Sequence, residues 1–295
     1  MRALSALHFL WLAPCLAALG FLERIWPSLA LVVFVVLTLS LGFAHGAMDI
    51  FLLRDARGKL GVRACAMYAM AALMLAVVLS FFPGIALIVL IALSLWHFGE
   101  QAHLEQSDQK LAWLLRAVQG GSSVMLPVLI SPHALLPWVK AITGADAAWV
   151  WPLWVGAAAL WCACLLAACA VVRPWQADTE KTLWLELIAL LALNVVLSPL
   201  LAFALFFGVY HACTHIWRMR RLQQRSGKRW LDGLLLGTVV ATWVGLAALL
   251  WWMSGQQLSA VDAGLWLRWL VVALAAVTLP HLILISRNRQ SLFKA

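Results

Sequence analysis

Long apolar runs recur from one end of this 295-residue chain to the other, and no soluble domain interrupts them. Hydrophobic residues make up 65% of the chain and charged residues 11%, so the apolar surface exceeds what a soluble fold of this length can bury. Runs of this length are typical of transmembrane helices. The runs are roughly 4–22, 28–53, 62–82, 84–102, 111–141, 148–172, 182–197, 200–217, 231–253 and 264–286. We therefore predict an all-α, polytopic membrane bundle of about eight to ten transmembrane helices that forms a single domain over residues 1–295.

Proline and glycine interrupt several of these runs. The stretch 182–217 is divided at Ser198 and Pro199, and the run 111–141 is interrupted by Gly120 and Gly121 and by Pro127 and Pro132. Broken helices at membrane depth are tolerated where protein or a cavity surrounds them. The sequence therefore predicts that some helices are broken inside the bundle.

The net charge of +9 comes from short basic clusters that lie between apolar runs. The largest clusters fall at 54–63, 218–229 and 287–294, and ten crossings place all three on one side with Arg2. Basic loops mark the cytoplasmic side, so we expect a plasma-membrane protein with both termini in the cytoplasm and no nucleic-acid partner. The N-terminal stretch resembles a signal peptide, but it lacks a convincing cleavage site and we interpret it as a retained first helix. The six cysteines lack CxxC spacing and indicate neither disulfides nor a zinc site.

His211 and His215 lie four residues apart in the helix-length stretch 206–221. Residues at this spacing share one helix face, and two imidazoles on one face can ligate a divalent metal. The same pair turned toward lipid would leave ring nitrogens without partners in hydrocarbon. We therefore expect the pair to face inward. The alternative is two interfacial histidines near a helix end.

Three further histidines fall at the same predicted depth as this pair. We count residues from the nearest charged residue and take a rise of about 1.5 Å per residue. On this count, five histidines lie roughly 5 to 13 Å inside the cytoplasmic boundary: His45, His97, His211, His215 and His281. Ionisable residues inside a membrane normally pair within the bundle and mark a functional site. Because these histidines come from four different runs, the pattern favours one shared metal site over a scatter of interfacial side chains.

Two carboxylates lie close in sequence to these histidines. Asp49 follows His45 by four residues, and Glu100 follows His97 by three. A carboxylate that accepts the free ring N–H of a metal-bound imidazole fixes its tautomer, so both are candidates for that contact. The alternatives are an aspartate that only begins the cytoplasmic loop and a solvated charge at a helix end.

The remaining histidines carry weaker signals. His281 directly follows Pro280, which kinks a helix, and it is a candidate further ligand, supporting residue or pocket residue. His8 has a compatible depth but no motif around it. His103 is expected in a loop, and His133 at the opposite interface.

Aromatic residues flank the candidate ligands and are predicted to line an apolar substrate tunnel: Phe43, Trp96, Phe98, Phe207 and Tyr210. Imidazole ligands without thiolate suit Fe(II), Zn(II) or Cu(II). The chain has no HExxH, EF-hand, P-loop or GxGxxG motif. A single metal with open positions that is reached from the hydrocarbon phase indicates oxygen chemistry on a lipophilic substrate.

Four motifs occur in order: HGAMD at 45–49, WHFGE at 96–100, YHACTH at 210–215 and PH at 280–281. Together they resemble the bacterial Brp/Blh family of membrane carotene-cleaving dioxygenases, which are associated with rhodopsin systems. The resemblance covers about residues 40–285. Each motif alone is weak, and the specificity lies in the ordered set.

The resemblance implies an enzyme that uses Fe(II) and O2 to cleave the central 15,15′ double bond of beta-carotene in the bilayer, giving two molecules of all-trans-retinal for delivery to a rhodopsin. It implies His45, His97, His211 and His215 as iron ligands; Asp49, Glu100 and His281 stay candidates for supporting residues from their positions in the sequence. The chain departs from the family, which often has Asp where Ala102 stands, three residues after the glycine of HFG. Two alternatives stay open: a transporter or channel with intramembrane histidines, and a non-catalytic carotenoid- or retinal-binding protein.

Overall fold

The computed structural model of the chain describes residues 6–53, 61–100, 109–144, 148–171, 178–225, 231–255 and 263–287. Within these ranges the regular structure is helical, without strands. The helices are α1 (Ala6–Ile25), α2 (Leu29–Leu37), the π-helical segment π1 (Thr38–Gly42), α3 (Phe43–Ala47), α4 (Asp49–Leu52), α5 (Val62–Phe81), α6 (Pro83–Glu100), α7 (Gln109–Ile130), α8 (Pro132–Thr143), α9 (Val150–Val171), α10 (Asp178–Val196), α11 (Pro199–Ala204), the π-helical segment π2 (Leu205–Ala212), α12 (Cys213–Arg225), α13 (Leu231–Gly255) and α14 (Ala263–Arg287).

By length and composition, six helical stretches in the described ranges can cross a membrane: Leu29–Ala47, Val62–Phe81, Ala112–Ile130, Val150–Val171, Pro199–Arg221 and Gly264–Arg287. Three shorter apolar helical stretches accompany them: Pro83–Gly99, Leu183–Val196 and Gly233–Gly245. The predicted all-α, multi-pass membrane fold is confirmed.

The helix breaks have local causes that are visible in the sequence. Ser198 caps α11 by accepting a hydrogen bond from the backbone N–H of Leu201 at 3.4 Å, and Pro199 occupies the first helical position. The run 111–141 breaks at Ser131, immediately before Pro132, whereas Pro127 stays inside α7. A proline is favoured at the first position of a helix because its missing N–H is not needed there.

The described residues form two compact units. The first comprises Met1–Phe34, Ile91–Lys140 and Ala145–Phe206, and the second comprises Val35–Leu90, Ala141–Gly144 and Phe207–Ala295. Each unit contains helices that are distant in sequence, so each is stabilised by packing between separate helices.

In the first unit, α7 packs closely against α9 and against the last turns of α6. The indole N–H groups of Trp154 and Trp161 donate to the backbone carbonyls of Val124 and Val118, at 3.0 and 2.9 Å. A Cβ atom on Gly121 would lie 2.1 Å from the indole of Trp161. The paired glycines of α7 therefore serve close helix packing, and they do not break the helix.

In the second unit, α5 packs against α14, and α13 packs against π1 and α3. Two side chains of α13 hold π1 by hydrogen bonds. The hydroxyl of Thr242 lies within hydrogen-bond distance of two carbonyl oxygens, that of Leu39 at 3.0 Å and that of Val239 at 2.8 Å. The indole of Trp243 donates to the hydroxyl of Ser40 at 3.0 Å. These contacts connect α13 to the π-helical turn that precedes His45.

Candidate metal centre

Two π-helical segments support the candidate centre. One, π1, ends three residues before His45, and the other, π2, contains His211. The helices that contain these segments approach each other at glycines: a Cβ atom on Gly42 would lie 2.6 Å from Phe207, and one on Gly208 would lie 2.7 Å from Leu37, the last residue of α2. Because neither glycine has a side chain, the two helices approach closely enough to bring their histidines together.

Four imidazoles converge in the second unit. The ring centroid of His45 lies 5.2 Å from that of His211, 5.5 Å from that of His215 and 5.3 Å from that of His281. The centroids of His215 and His281 lie 5.4 Å apart. All four residues are at most 6% exposed. His211 and His215, which the sequence predicts on one helix face, therefore lie beside histidines from two other helices.

The buried carboxylate of Asp49 lies at the edge of this cluster. Its Oδ2 atom lies 2.7 Å from Nδ1 of His281 and accepts a hydrogen bond from the hydroxyl of Tyr68 at 2.9 Å. Its Oδ1 atom has no hydrogen-bond partner in the part of the chain that the structure describes. The sequence predicts Asp49 as the partner of His45, but the carboxylate reaches His281, because α14 lies beside α4.

Phe207 forms one wall of the cluster. Its ring stacks on that of His211, with an interplanar angle of 13° and a centroid distance of 5.7 Å. The ring of His45 meets that of Phe207 edge-on at 5.7 Å. Of the other predicted wall residues in this unit, Phe43 and Tyr210 are partly buried.

His97 belongs to the first unit, where it is 5% exposed near the end of α6. The next residue, Phe98, is also buried and meets the ring of Phe206 edge-on at 4.9 Å. Trp96 is 50% exposed and packs against Trp113.

Other predicted residues lie at the surface or outside the description. His133 is exposed on α8. Glu100 ends α6, but its side chain lies outside the described residues, as does that of His8 in α1. His103 also lies outside them.

The donor set of the second unit fits a divalent transition metal. One ligand atom each of Asp49, His215 and His281 lies within 4.8 Å of the others, and ring nitrogens of His45 and His211 are equally close to each other. Imidazole nitrogen is a good ligand for iron, copper and zinc. A buried carboxylate with one unpartnered oxygen is costly to hold in an apolar interior, and a nearby cation would offset that cost. The arrangement can therefore bind one metal ion through imidazoles, while the carboxylate of Asp49 holds the imidazole of His281.

Two features of the centre were not predicted from the sequence. Tyr68 sits in the apolar helix α5, and the only local signal is a hydroxyl that needs a hydrogen-bond partner at membrane depth. The π-helical segments π1 and π2 have no sequence signature of their own. Both follow from contacts between distant parts of the chain.

These observations define a class of protein: a multi-pass helical membrane protein with a buried histidine cluster that could hold a metal ion. A family model described as beta-carotene 15,15′-dioxygenase matches residues 36–287, so the chain belongs to that family. It is also similar to the beta-carotene 15,15′-dioxygenase of uncultured marine bacterium 66A03, with 25% identity over 268 residues that cover 88% of this chain and 92% of the relative. No solved structure matches the chain. The resemblance drawn from the four motifs is confirmed, and the chain belongs to an enzyme family named for carotenoid cleavage.

Proposed function

We propose that this chain uses O2 to cleave the central 15,15′ double bond of beta-carotene and releases two molecules of all-trans-retinal. The observation that carries the proposal is the convergence of four buried imidazoles from candidate membrane-spanning helices, with one carboxylate beside them, in a member of the dioxygenase family. A protein that only binds carotenoid needs an apolar slot and no histidine cluster, so the cluster favours a catalytic function. A single transmembrane catalytic domain over residues 1–295 is part of this proposal.

The proposed metal is Fe(II), held by His45, His211 and His215, with His97 of the WHFGE motif as a further ligand. Bound iron would bind and activate O2, which does not react with a polyene unaided. His281 and Asp49 act behind the ligands, and Glu100 is the proposed acidic partner near His97. Support comes from the burial of all four proposed ligands and from the 5.2 and 5.5 Å centroid distances that join His45 to His211 and His215.

The protein's own contribution is a dry apolar slot that holds the middle of the polyene beside the imidazoles. Phe207 is the best-supported wall residue, because it touches both His45 and His211. Phe43, Trp96, Phe98 and Tyr210 are proposed to extend the walls. A hydrocarbon substrate offers no proton to transfer, so the reaction requires no acid or base from the chain.

We propose that the substrate enters sideways from the bilayer, since a C40 hydrocarbon has no aqueous route. A groove of about 260 Å³ between α5 and α14 supports this route. Its lining is apolar and consists of Ala71, Met74, Leu75, Val78, Leu279, Pro280 and Ile283. Pro280, which lines the groove, immediately precedes His281 in α14.

The proposed location is the plasma membrane, with both termini in the cytoplasm. The support is the excess of Lys and Arg in the three basic clusters, which the positive-inside rule assigns to the cytoplasm. Retinal made in the bilayer is available to a rhodopsin there, which is the proposed recipient of the product.

The test is expression in cells that accumulate beta-carotene. We expect the orange colour to fade, chromatography to show retinal as the main aldehyde, and the purified protein to contain about one iron per chain. A longer apocarotenoid in place of retinal would contradict cleavage at the central bond. Unchanged colour together with bound carotenoid would contradict catalysis and favour the binding protein.

A further inference from the structure

We propose that Tyr68 is a positioning residue that acts through Asp49 to fix the orientation of His281 at the metal centre. The proposal deepens the proposed function and rests on it for the presence of a metal. It concerns three residues on three helices: Asp49 on α4, Tyr68 on α5 and His281 on α14.

The three side chains form one hydrogen-bonded chain. The hydroxyl of Tyr68 donates to Oδ2 of Asp49 at 2.9 Å, and Nδ1 of His281 lies 2.7 Å from the same oxygen. Asp49 and His281 are 2% and 4% exposed. Bonds to an ionised carboxylate are stronger than neutral ones, and they are stronger still in a low dielectric. The chain therefore connects α5 rigidly to the imidazole of α14.

This geometry determines which nitrogen His281 presents to the cluster. When Nδ1 carries the proton that the carboxylate accepts, Nε2 keeps its lone pair. The ring of His281 lies 5.3 Å from that of His45 and 5.4 Å from that of His215, so His281 belongs to the same histidine cluster. Carboxylates that hold the second nitrogen of an imidazole in this way raise its basicity and fix its orientation.

Tyr68 has a distinct part in this arrangement because it shares one carboxylate oxygen with His281. Oδ2 receives both hydrogen bonds, whereas Oδ1 has no partner within the described ranges. Without the hydroxyl, the carboxylate of Asp49 loses one of its two hydrogen-bond restraints and turns more freely about the Cβ–Cγ bond, so the oxygen that faces His281 is held less firmly. The hydroxyl therefore restrains the carboxylate plane of Asp49 in the orientation that keeps His281 in place.

The test is Tyr68→Phe, which removes the hydroxyl and keeps the ring. The matched control is Ser80→Ala on the same helix, where the lost hydroxyl bond goes only to the carbonyl of Val77. We expect iron to leave Tyr68→Phe about tenfold faster in the presence of a chelator, since supporting partners of this kind contribute about 10- to 100-fold to metal affinity. We also expect the absorption spectrum of the Co(II)-substituted protein to change in Tyr68→Phe and not in Ser80→Ala.

A double variant tests whether Tyr68 acts through Asp49. Asp49→Asn alone should accelerate iron loss at least as much as Tyr68→Phe, and adding Tyr68→Phe to it should change the rate no further. An iron-loss rate for Tyr68→Phe equal to that of the wild type would overturn the proposal. A full additional effect in the Asp49→Asn background would also overturn it, because Tyr68 would then act by another path.

A metal-free measurement separates this proposal from the proposed function. Solid-state NMR of 15N-histidine-labelled, metal-free protein should show one histidine whose Nδ1 and Nε2 signals change in Tyr68→Phe. A wild-type protein that never binds iron contradicts the proposed function. In that case the NMR comparison by itself still tests whether Tyr68 positions the histidine. If Tyr68→Phe does not fold, Asp49→Asn must change the same histidine signals, and unchanged signals contradict the proposal.

Discussion

The ring of Phe207 lies against Gly42 so closely that a Cβ atom on Gly42 would come within 2.6 Å of Cε1 of Phe207. The same ring stacks on His211 and meets the ring of His45 edge-on. Gly42 ends the π-helical segment that precedes His45, and Phe207 lies in the segment that contains His211. Because Gly42 has no side chain, the ring of Phe207 can lie against the rings of both His45 and His211.

Gly42→Ala is expected to displace Phe207 toward the two histidines and to reduce the iron bound per chain by more than half. Overpacking of a well-packed site costs about 1–3 kcal/mol, so the melting temperature in detergent should also fall. The control is Gly46→Ala, because nothing described lies within 4 Å of a Cβ atom there. Iron analysis and thermal unfolding measure both effects, and a fully iron-loaded Gly42→Ala protein would count against the role of this contact.

Replacing either histidine of the YHACTH motif by alanine should abolish both iron binding and retinal formation. Each substitution removes one proposed ligand nitrogen, and truncation leaves a cavity at the centre. His133→Ala is the matched control, since His133 is exposed on α8. Iron content and retinal yield are measured on the same preparations. An iron-replete, active double variant of His211 and His215 would refute the assignment.

The sequence predicts most of the architecture because hydrophobicity and charge are local properties. The apolar runs coincide with helices, and the break at Ser198 and Pro199 follows from capping chemistry. The spacing of His211 and His215 places both rings near His45 in the structure, even though His211 lies in a π-helical segment that the sequence does not predict.

The rest of the centre depends on which helices are neighbours, and no local pattern contains that information. Asp49 and His281 are 232 positions apart and lie 2.7 Å from each other. From the sequence, the nearest imidazole to Asp49 is His45, four residues away. The contact of Tyr68 could not be predicted from the sequence for the same reason. Its hydroxyl reaches its acceptor only when α5 packs beside α4 and α14.

Gly120→Ala should strongly destabilise the first unit. A Cβ atom on Gly120 would lie 1.9 Å from the backbone oxygen of Leu95 and 2.8 Å from the backbone nitrogen of Gly99. Backbone atoms inside helices cannot move aside cheaply, so α6 and α7 must separate, at a cost of about 3 kcal/mol or more. Thermal unfolding in detergent is the measurement, with Gly156→Ala as the control because nothing described lies near a Cβ atom there. A melting temperature equal to that of the control would contradict this close crossing.

Ala71→Phe should slow the cleavage of beta-carotene while leaving the iron content unchanged. Ala71 lines the groove between α5 and α14, and an aromatic ring there would fill much of its roughly 260 Å³. If the polyene reaches the centre by this groove, the variant should raise KM for beta-carotene about tenfold, which corresponds to about 1.4 kcal/mol of lost binding. Met70→Phe is the control, because Met70 lies on the same helix, is 58% exposed and does not line the groove. Assays in detergent micelles at several carotene concentrations separate KM from kcat. Identical KM values for the two variants would show that the substrate takes another path.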